Sequence, residues 1–132
     1  MYISGRDRLF RPLVIVRPRV YNEMPDPKPT APEILAAVVL VNYYIRKYMM
    51  CPGRIENIIQ VMDVSGNYKI PFANIKYLFS VMPRLNRGRV RTFFVLNASA
   101  AISFIWQGVR IFLDENTQNK VNFSSTNTNP VL

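Results

Sequence analysis

The sequence predicts an α/β domain with a mixed, mostly parallel sheet of about five strands flanked by helices. Three observations support this fold class. Runs rich in β-branched and aromatic residues alternate with runs in which apolar residues recur at helical spacing. The central run, Ile55–Val64 (IENIIQVMDV), is apolar at most positions, as expected for a strand buried on both faces. The chain has 132 residues, of which 49% are hydrophobic, so it is long enough to bury the core of one such domain.

The first predicted strand is Leu13–Val16 (LVIV), which lies between Pro12 and Pro18. Because proline cannot donate a hydrogen bond to a neighbouring strand, we expect an edge or terminal strand here. Residues 24–29 (MPDPKP) then predict an extended, polyproline-like segment.

Two helices are predicted in the middle of the chain. The first begins at a capping box, in which Thr30 is the N-cap and Glu33 follows in the first turn, and it ends before Pro52. A turn at residues 65–67 follows the central strand. The second helix ends near Pro83. Its large apolar residues at helical spacing are Phe72, Ile75, Phe79 and Met82.

The C-terminal part of the predicted domain contains two more strands on either side of a long apolar helix. Val90–Leu96 (VRTFFVL) is the first of these strands, Asp114 caps a short helical turn, and Val121–Phe123 is the last strand. We therefore expect one domain over residues 1–123, followed at residues 124–132 by a polar tail or a truncated C-terminal segment.

The predicted apolar helix at residues 100–113 has two apolar stripes, whereas a surface helix typically has one. The first stripe consists of Ile102, Ile105, Val109 and Phe112, and the second consists of Phe104, Ile111 and, obliquely, Trp106. Two stripes require two apolar partners, of which the sheet is one. From periodicity alone the second partner is another helix, a second subunit, a membrane or a buried lipid, and a helix or subunit is favoured.

Residue types that commonly carry out catalysis are scarce. There is no histidine and one cysteine, Cys51, which excludes a histidine-based triad, a His/Cys zinc cluster and a disulfide within the chain. The five glycines are scattered and form no phosphate-binding loop. Asp63 is the one acid at a position typical of α/β active sites, but a turn in which it accepts hydrogen bonds from the amides of Ser65 and Gly66 explains it better. We therefore expect neither an enzyme nor a metal site.

The chain has a formal net charge of +9, which predicts attraction to an anionic partner. The basic residues form two clusters: Arg6, Arg8, Arg11, Arg17 and Arg19, and Arg84, Arg87, Arg89 and Arg91. The aromatic residues beside the second cluster, Phe93 and Phe94, belong to a predicted buried strand, so they are not expected to stack on bases. An anionic membrane surface is therefore the preferred partner, nucleic acid is not expected, and a merely solvated basic surface is the simplest alternative.

The sequence predicts neither a secretory signal nor a membrane span. The first 12 residues lack the apolar core of a signal peptide. The longest apolar runs, Ile34–Val41 and Ala100–Trp106, are shorter than the roughly 20 residues that span a bilayer. A lone cysteine is typical of a reducing compartment, so we expect a cytoplasmic protein that associates with membranes peripherally.

Four segments together resemble the CRAL-TRIO domain of phosphatidylinositol-transfer and related lipid-binding proteins. Gly5–Pro18 (GRDRLFRPLVIVRP) is similar to the family's opening "GRD…GRPV" strand, and Ile58–Gly66 (IIQVMDVSG) is similar to its central "MDLKG" strand and turn. Phe93–Ser99 (FFVLNAS) resembles "YIINAP", and Phe104–Val121 (FIWQGVRIFLDENTQNKV) resembles "LWKLVKPFLDPKTREKI". The segments follow the family's order and spacing over nearly the whole chain.

The resemblance implies an apolar lipid pocket whose floor is the sheet and whose cover is a mobile gate helix. The residues implied to line the pocket or the gate are Ile102, Phe104, Ile105, Trp106, Val109 and Phe112, together with Tyr44, Ile58 and Gln60. The residues implied to hold the lipid phosphate are Arg89, Thr117 and Lys120. The implied function is non-catalytic binding of a phosphoinositide or other phospholipid and its transfer between membranes, with no cofactor besides the lipid.

Departures from the family's pattern bear on the ligand. Gly88 stands where the transfer proteins have a glutamate of the inositol site, which weakens strict phosphatidylinositol specificity. Ile58 and Gln60 replace hydroxyl-bearing residues linked to choline-lipid binding, so recognition of phosphatidylcholine by that route is not expected. The helical segment that usually precedes this domain is missing, so we expect either a minimal version of the domain or a piece of a longer chain.

Two other functions stay open from the sequence. One is a lipid-blind protein-interaction or membrane-targeting module of a larger signalling or regulatory protein. Apolar surface that lacks its usual cover also favours a homodimer. The other function is that of a basic nucleic-acid binder, which predicts salt-dependent affinity for DNA or RNA.

Overall fold

The computed structural model describes residues 1–66 and 69–124, which form one sheet flanked by helices. The strands are β1 (Tyr2–Arg6), β2 (Pro12–Val16), β3 (Ile58–Asp63), β4 (Val90–Leu96) and β5 (Val121–Ser124). The helices are α1 (Val20–Glu23), α2 (Ala31–Tyr48), α3 (Phe72–Leu85), α4 (Ala100–Val109), which continues as a 3-10 turn at Arg110–Phe112, and α5 (Glu115–Gln118). The predicted α/β class with a five-stranded mixed sheet is confirmed.

The strands lie in the order β1-β2-β3-β4-β5, with β1 antiparallel to β2 and the other neighbours parallel. The prediction that Leu13–Val16 is an edge strand is wrong, because β2 pairs with β1 on one side and with β3 on the other. Its prolines do not interrupt the ladder, since Pro12 is the first residue of the strand and Pro18 lies beyond its end. The sequence of β1, YISGR, which is the edge strand next to β2, has no apolar alternation that would predict it.

The three long helices cover the same face of the sheet. Each crossover, through α2, α3 and α4 in turn, moves one strand in the same direction, and right-handed crossovers then place every helix on the same side. Side chains of the covered face include Val14, Gln60, Met62, Phe93, Val95 and Val121. On the opposite face Ile15, Val61 and Phe94 are partly exposed. Within the predicted central strand Ile55–Val64, β3 itself spans Ile58–Asp63 and is buried only over residues 58–60, and Val64 just beyond it is also buried.

The packed core lies under the C-terminal half of α2. Val14, Ile45 and Ile58 form its centre and are 2%, 1% and 1% exposed. The partly buried residues packed around them are Ile3, Val41, Met49, Met50 and Val90. Full burial of a Val or Ile side chain contributes roughly 1.5–3 kcal/mol, so this cluster holds α2 on the sheet.

Local hydrogen bonds set the starts of the helices. At the start of α2 the Glu33 carboxylate accepts hydrogen bonds from the N–H and the hydroxyl of Thr30, each at 2.7 Å, which confirms the predicted capping box. The bond from the Thr30 N–H, and to a smaller extent the bond from its hydroxyl, hold the pKa of Glu33 below its ordinary value. At the start of α4 the Ser99 hydroxyl accepts a hydrogen bond from the N–H of Ile102 at 3.4 Å.

Two predicted features reach beyond the described residues. The predicted turn at residues 65–67 includes Asn67, and the predicted tail includes residues 125–132; both lie outside the described ranges. Ser124 is the last residue of β5, so the last strand extends one residue past the predicted Val121–Phe123. The domain boundary at residue 123 stays a prediction.

Candidate functional site

A cavity of about 820 Å³ lies between the covered face of the sheet and helices α2, α3 and α4. Strand residues of its floor include Val16, Met62, Phe93, Val95 and Phe123. Helix residues of its walls include Ile34, Val38, Ile75, Phe79, Met82, Ile102, Ile105 and Val109. The volume lies in the ~300–1,000 Å³ range of small-molecule pockets. Because most of the lining side chains are apolar, the cavity suits a hydrophobic ligand.

Helix α4 forms one wall of the cavity and has the two apolar stripes that its sequence predicts. Ile102, Ile105 and Val109 face the cavity, and Val109 is only 1% exposed. On the outer stripe Phe104 and Ile111 are 79% and 72% exposed. The helix therefore separates the cavity from the solvent and has apolar side chains on both sides.

Trp106 belongs to the cavity side of α4 and not to the outer stripe. Its indole lines the cavity, and the centroid of its ring lies 5.5 Å from that of Phe123 on β5. The reason is helical geometry: Trp106 follows Ile102 by one turn and precedes Val109 by nearly one turn, so the three share a face. The Trp106–Phe123 pair links α4 to β5.

Phe104 and Phe112, which the sequence also predicts at the pocket or gate, do not line the cavity. Phe104 lies on the outer stripe. Phe112 is exposed, and the Lys76 ammonium nitrogen lies 5.1 Å from the centroid of its ring. Phe112 is the last residue of the 3-10 turn Arg110–Phe112 that follows α4.

One end of the cavity is polar and positively charged. This end lies where β4 and β5 begin, and its lining residues are Arg84, Asn86, Arg87, Gly88, Asp114, Asn116, Thr117 and Lys120. Three cations, Arg84, Arg87 and Lys120, face one carboxylate, Asp114, at this end. Arg17, which follows β2, is a further cation in another part of the lining. An anionic group of a ligand would be stabilised at this end by charge-assisted hydrogen bonds, with the apolar part of the ligand between sheet and helices.

Thr117 and Lys120, which the sequence predicts as phosphate-binding residues, both line this polar end. Asp114 is the N-cap of α5, as predicted, and its carboxylate accepts hydrogen bonds from the N–H of Thr117 at 2.9 Å and from its hydroxyl at 2.7 Å. The hydroxyl bond, the backbone bond and the charge of Lys120 hold the pKa of Asp114 below its ordinary value. Lys120 forms no ion pair with any described residue, so its ammonium can approach a ligand phosphate.

A comparison with protein-family models matches residues 1–132 to the CRAL/TRIO domain. The chain belongs to the CRAL/TRIO family. Members of this family bind lipids and other small hydrophobic ligands, and the family is known for ligand binding and transfer and not for catalysis. A search of curated proteins found no match. The cavity of about 820 Å³ is large enough and apolar enough for a small hydrophobic ligand.

Besides Phe104 and Phe112, three more residues expected at the site do not line the cavity of this CRAL/TRIO domain. Ile58 lies in the packed core. Tyr44 is exposed on α2, with its ring centroid 5.0 Å from that of Tyr48. The Arg89 guanidinium donates a hydrogen bond of 3.4 Å to the carbonyl of Glu56. A match of sequence motifs aligns residues along the chain, but it does not determine the direction of each side chain.

Two cations of the second basic cluster that were not among the expected phosphate-binding residues, Arg84 and Arg87, line the cavity, whereas Arg89 does not. The cluster of arginines around residues 84–91 is visible in the sequence. The turn between α3 and β4 decides which of them face the cavity, and a tight turn of this kind has no simple periodicity. Gln60, by contrast, lines the floor as expected.

Asp63 stabilises the end of β3 and does not line the cavity. Its Oδ1 accepts hydrogen bonds from the N–H of Ser65 at 3.1 Å, as predicted, and from Asn97 Nδ2 at 2.8 Å in place of the predicted Gly66 amide. Burial raises the pKa of Asp63, but the bonds from Asn97 and Ser65 and the charge of Arg19 outweigh it, so the pKa lies below its ordinary value. The carboxylate is therefore ionised near neutral pH and joins the ends of β3 and β4.

Residues 1–66 and 69–124 lack two kinds of feature. No group of three or more His, Cys, Asp or Glu side chains in these ranges could hold a metal ion. None of the helices in these ranges is both long and apolar enough to cross a membrane.

Proposed function

We propose that this chain binds one amphiphilic lipid in the cavity beside α4 and transfers it between membranes without chemical change. The observation that carries the proposal is an apolar cavity of about 820 Å³ with one cationic end. Each buried methylene stabilises the complex by about 0.8 kcal/mol, so an acyl chain would leave the cavity slowly into water. Exchange is fast only where the lipid passes directly between the cavity and a bilayer.

The proposed ligand is a phosphoinositide or another phospholipid whose phosphate lies at the polar end. Arg84, Arg87 and Lys120 supply the positive charge there. The Thr117 hydroxyl donates to Asp114 and can therefore only accept a hydrogen bond from a headgroup. Because Gly88 adds no side chain to this end, we propose that the domain recognises the phosphate and not one particular headgroup.

Delivery is proposed to occur at an anionic membrane surface. Phe104 and Ile111 are exposed apolar side chains on the outer stripe of α4, so they would enter the bilayer as α4 moves. Basic residues near a membrane surface contribute about 1 kcal/mol each, which suits a chain with a net charge of +9. The protein would act in the cytoplasm as a peripheral membrane protein, with no nucleic acid as a partner.

The proposal includes no catalytic step. Asp114 is the carboxylate among the described residues that line the cavity, and both of its oxygens accept hydrogen bonds from Thr117. A carboxylate held in this way, with a lowered pKa, is a weak general base. Its role is to cap α5 and to place Lys120.

Native mass spectrometry of the purified chain, followed by lipid extraction, tests the proposal. The chain is loaded from vesicles of phosphatidylinositol or phosphatidylcholine, and one lipid per chain is expected. Ile105→Asp places a charge inside the apolar cavity and should abolish loading. Phe104→Asp is the matched control, because the neighbouring residue faces outward: it should still load but should transfer lipid more slowly.

A wild-type chain that takes up neither lipid, and no other phosphate-bearing lipid offered in vesicles, would refute the proposal. Equal loading by Ile105→Asp and the wild type would also refute it, because the cavity could not then be the binding site.

A second candidate function uses the outer surface of α2. Leu40, Tyr43 and Tyr48 are exposed there, and this apolar surface favours a lipid-blind protein-interaction or membrane-targeting module of a larger signalling or regulatory protein. A chain that binds no lipid but forms a dimer, or a complex with another protein, that Leu40→Asp disrupts would support this second function.

A further inference from the structure

We infer that the ligand of this cavity carries a hydroxyl or an amide group next to its charged head, and that Gln60 binds this group. The inference rests on the proposed function and narrows its ligand class. It starts from a polar side chain in the floor of a mostly apolar cavity.

Gln60 lies in β3 on the covered face of the sheet. It is 4% exposed and lines the cavity. No hydrogen bond joins its carboxamide to another described residue, yet none of the described side chains has a nitrogen or oxygen that is both sealed from solvent and unpaired. The carboxamide of Gln60 must therefore border the open space of the cavity, where a ligand or a water molecule has to supply its hydrogen bonds.

Asn86 presents a second carboxamide to the cavity. It is 9% exposed, follows α3 and lines the polar end. Its backbone carbonyl accepts a 2.8 Å hydrogen bond from the N–H of Arg89, whereas its side chain makes no hydrogen bond to a described residue. Each carboxamide offers N–H donors as well as a carbonyl acceptor. The ligand therefore meets donors and acceptors in addition to the cations of this end.

The sheet register places Gln60 just inside the charged end. Gln60 pairs with Phe93, and Phe93 pairs with Val121, the residue directly after Lys120. Neighbouring strands are about 4.8 Å apart, so Gln60 lies roughly 10 Å across the sheet from the start of β5. A lipid whose phosphate contacts Lys120 then has the part that joins its head to its chains near Gln60.

The chemistry of the part that joins head and chains decides whether the Gln60 carboxamide finds both a hydrogen-bond donor and an acceptor. Ester oxygens only accept hydrogen bonds, so a diester lipid leaves the carbonyl of Gln60 without a donor, which is unfavourable in an apolar cavity. A hydroxyl or amide N–H can donate to that carbonyl, and the oxygens of the same groups can accept from the carboxamide N–H. The cavity therefore suits a backbone with hydroxyl or amide groups, as sphingoid lipids and lysophospholipids have, better than a diester backbone.

Competition between ceramide 1-phosphate and phosphatidic acid of matched chain lengths tests this inference. Both lipids have a phosphate monoester head, but the first has an amide and a hydroxyl where the second has two esters. The full chain is freed of lipid, incubated with vesicles that contain both lipids in equal amounts, and analysed by native mass spectrometry. We expect the wild type to prefer ceramide 1-phosphate by about tenfold, the effect of one well-formed hydrogen bond.

Gln60→Leu should bring this ratio close to one, because it removes the carboxamide but keeps a side chain of similar size. Gln107→Leu is the matched control, since it makes the same change at an exposed residue of α4 that does not line the cavity. It should keep the preference. Gln60→Met supplies the same readout if Gln60→Leu fails to fold.

Equal uptake of the two lipids by the wild type would overturn the inference, as would an unchanged preference in Gln60→Leu. Either result would leave the proposed lipid binding intact, because both lipids would still be bound. If neither lipid is taken up and phosphatidylinositol is not taken up either, both proposals are overturned.

Discussion

The covered face of the sheet has a packed half and an open half, although both halves are apolar. In the packed half Val14, Ile45 and Ile58 are at most 2% exposed. In the open half the same sheet face borders a cavity of about 820 Å³. Even one helix contributes to both, since Ile34 and Val38 of α2 line the cavity whereas Ile45 lies in the core. Apolar composition by itself therefore does not decide where a core is filled.

A single row across the sheet shows the difference. Val14, Gln60, Phe93 and Val121 are successive partners on β2 to β5. Val14 is sealed by its contact with Ile45 of α2, whereas Val121, at the other end of the row, is only partly buried and lines the cavity. What lies above each strand residue, and not the residue type, makes one end of the row part of the core and the other end part of the cavity lining.

The largest expected contrast is between Ile45 and Ile105. Ile45→Ala leaves a void in the packed half, so it should lower the free energy of unfolding by about 2–5 kcal/mol. Ile105→Ala removes a partly buried side chain that already borders a cavity, so the loss in lipid-free protein should stay below about 1.5 kcal/mol. Urea denaturation of both variants measures the difference. Equal losses would show that the cavity is filled by protein in solution.

The next contrast compares two substitutions that enlarge a valine, at Val14 and at Val121, which lie at opposite ends of the row across β2 to β5. Val14→Phe overpacks the core and should lower the free energy of unfolding by about 1–3 kcal/mol. Val121→Phe places the added volume in the cavity, so we expect little change in stability but reduced lipid uptake. Thermal unfolding and native mass spectrometry measure the two effects. If Val121→Phe is as unstable as Val14→Phe, then Val121 does not border an unfilled cavity in solution.

A smaller effect is expected at the polar end of the open half. Lys120→Ala should weaken binding of phosphatidic acid by about tenfold, because it removes a charged donor to the phosphate. Lys47 is the matched control: its ammonium lies 5.6 Å and 5.3 Å from the ring centroids of Tyr43 and Tyr48, on α2 and outside the cavity. Lys47→Ala should leave the affinity unchanged. Similar losses in both variants would indicate an unspecific effect of charge.

The smallest expected effect concerns Asp63, which lies outside both halves. Its pKa is lower in the folded chain than its ordinary value of 3.8, so its contribution to stability is present above that value and is lost as the pH falls through the folded pKa. Asp63→Asn should therefore be less stable than the wild type at about pH 6, and the difference should shrink at about pH 3. Urea midpoints at both pH values measure it.

Other carboxylates with lowered pKa values, such as Asp7 and Glu33, titrate in both proteins, so their contributions to the pH dependence of stability cancel in this comparison. A difference between wild type and Asp63→Asn that is independent of pH would show that the Asp63 charge does not stabilise the fold.

Features that depend on neighbouring residues could be predicted from the sequence. The capping box at Thr30, the N-cap at Asp114 and the strand Val90–Leu96 occur where the local pattern places them. The two apolar stripes of α4 could also be predicted from the sequence, because helical periodicity is a local property. The ordered segments that match the CRAL/TRIO domain predicted the family, and the family implied a pocket.

Features that depend on distant residues could not be predicted in the same way. The pairing of β1 with β2 made β2 an inner strand, and the turn before β4 turned Arg87 but not Arg89 to the cavity. The directions of Tyr44 and Ile58 likewise follow from the packing around them. Motif matches fix a residue's place along the chain, whereas these outcomes depend on which elements meet.

By itself, the sequence determined the α/β class, the local caps, the apolar stripes of α4 and membership of the CRAL/TRIO family. Only the tertiary structure decided which half of the sheet face is packed and which polar side chains, Gln60 and Asn86 among them, border the remaining space. The physical reason is that periodicity and capping act within a few residues, whereas a cavity exists only through the relative positions of elements far apart in the chain.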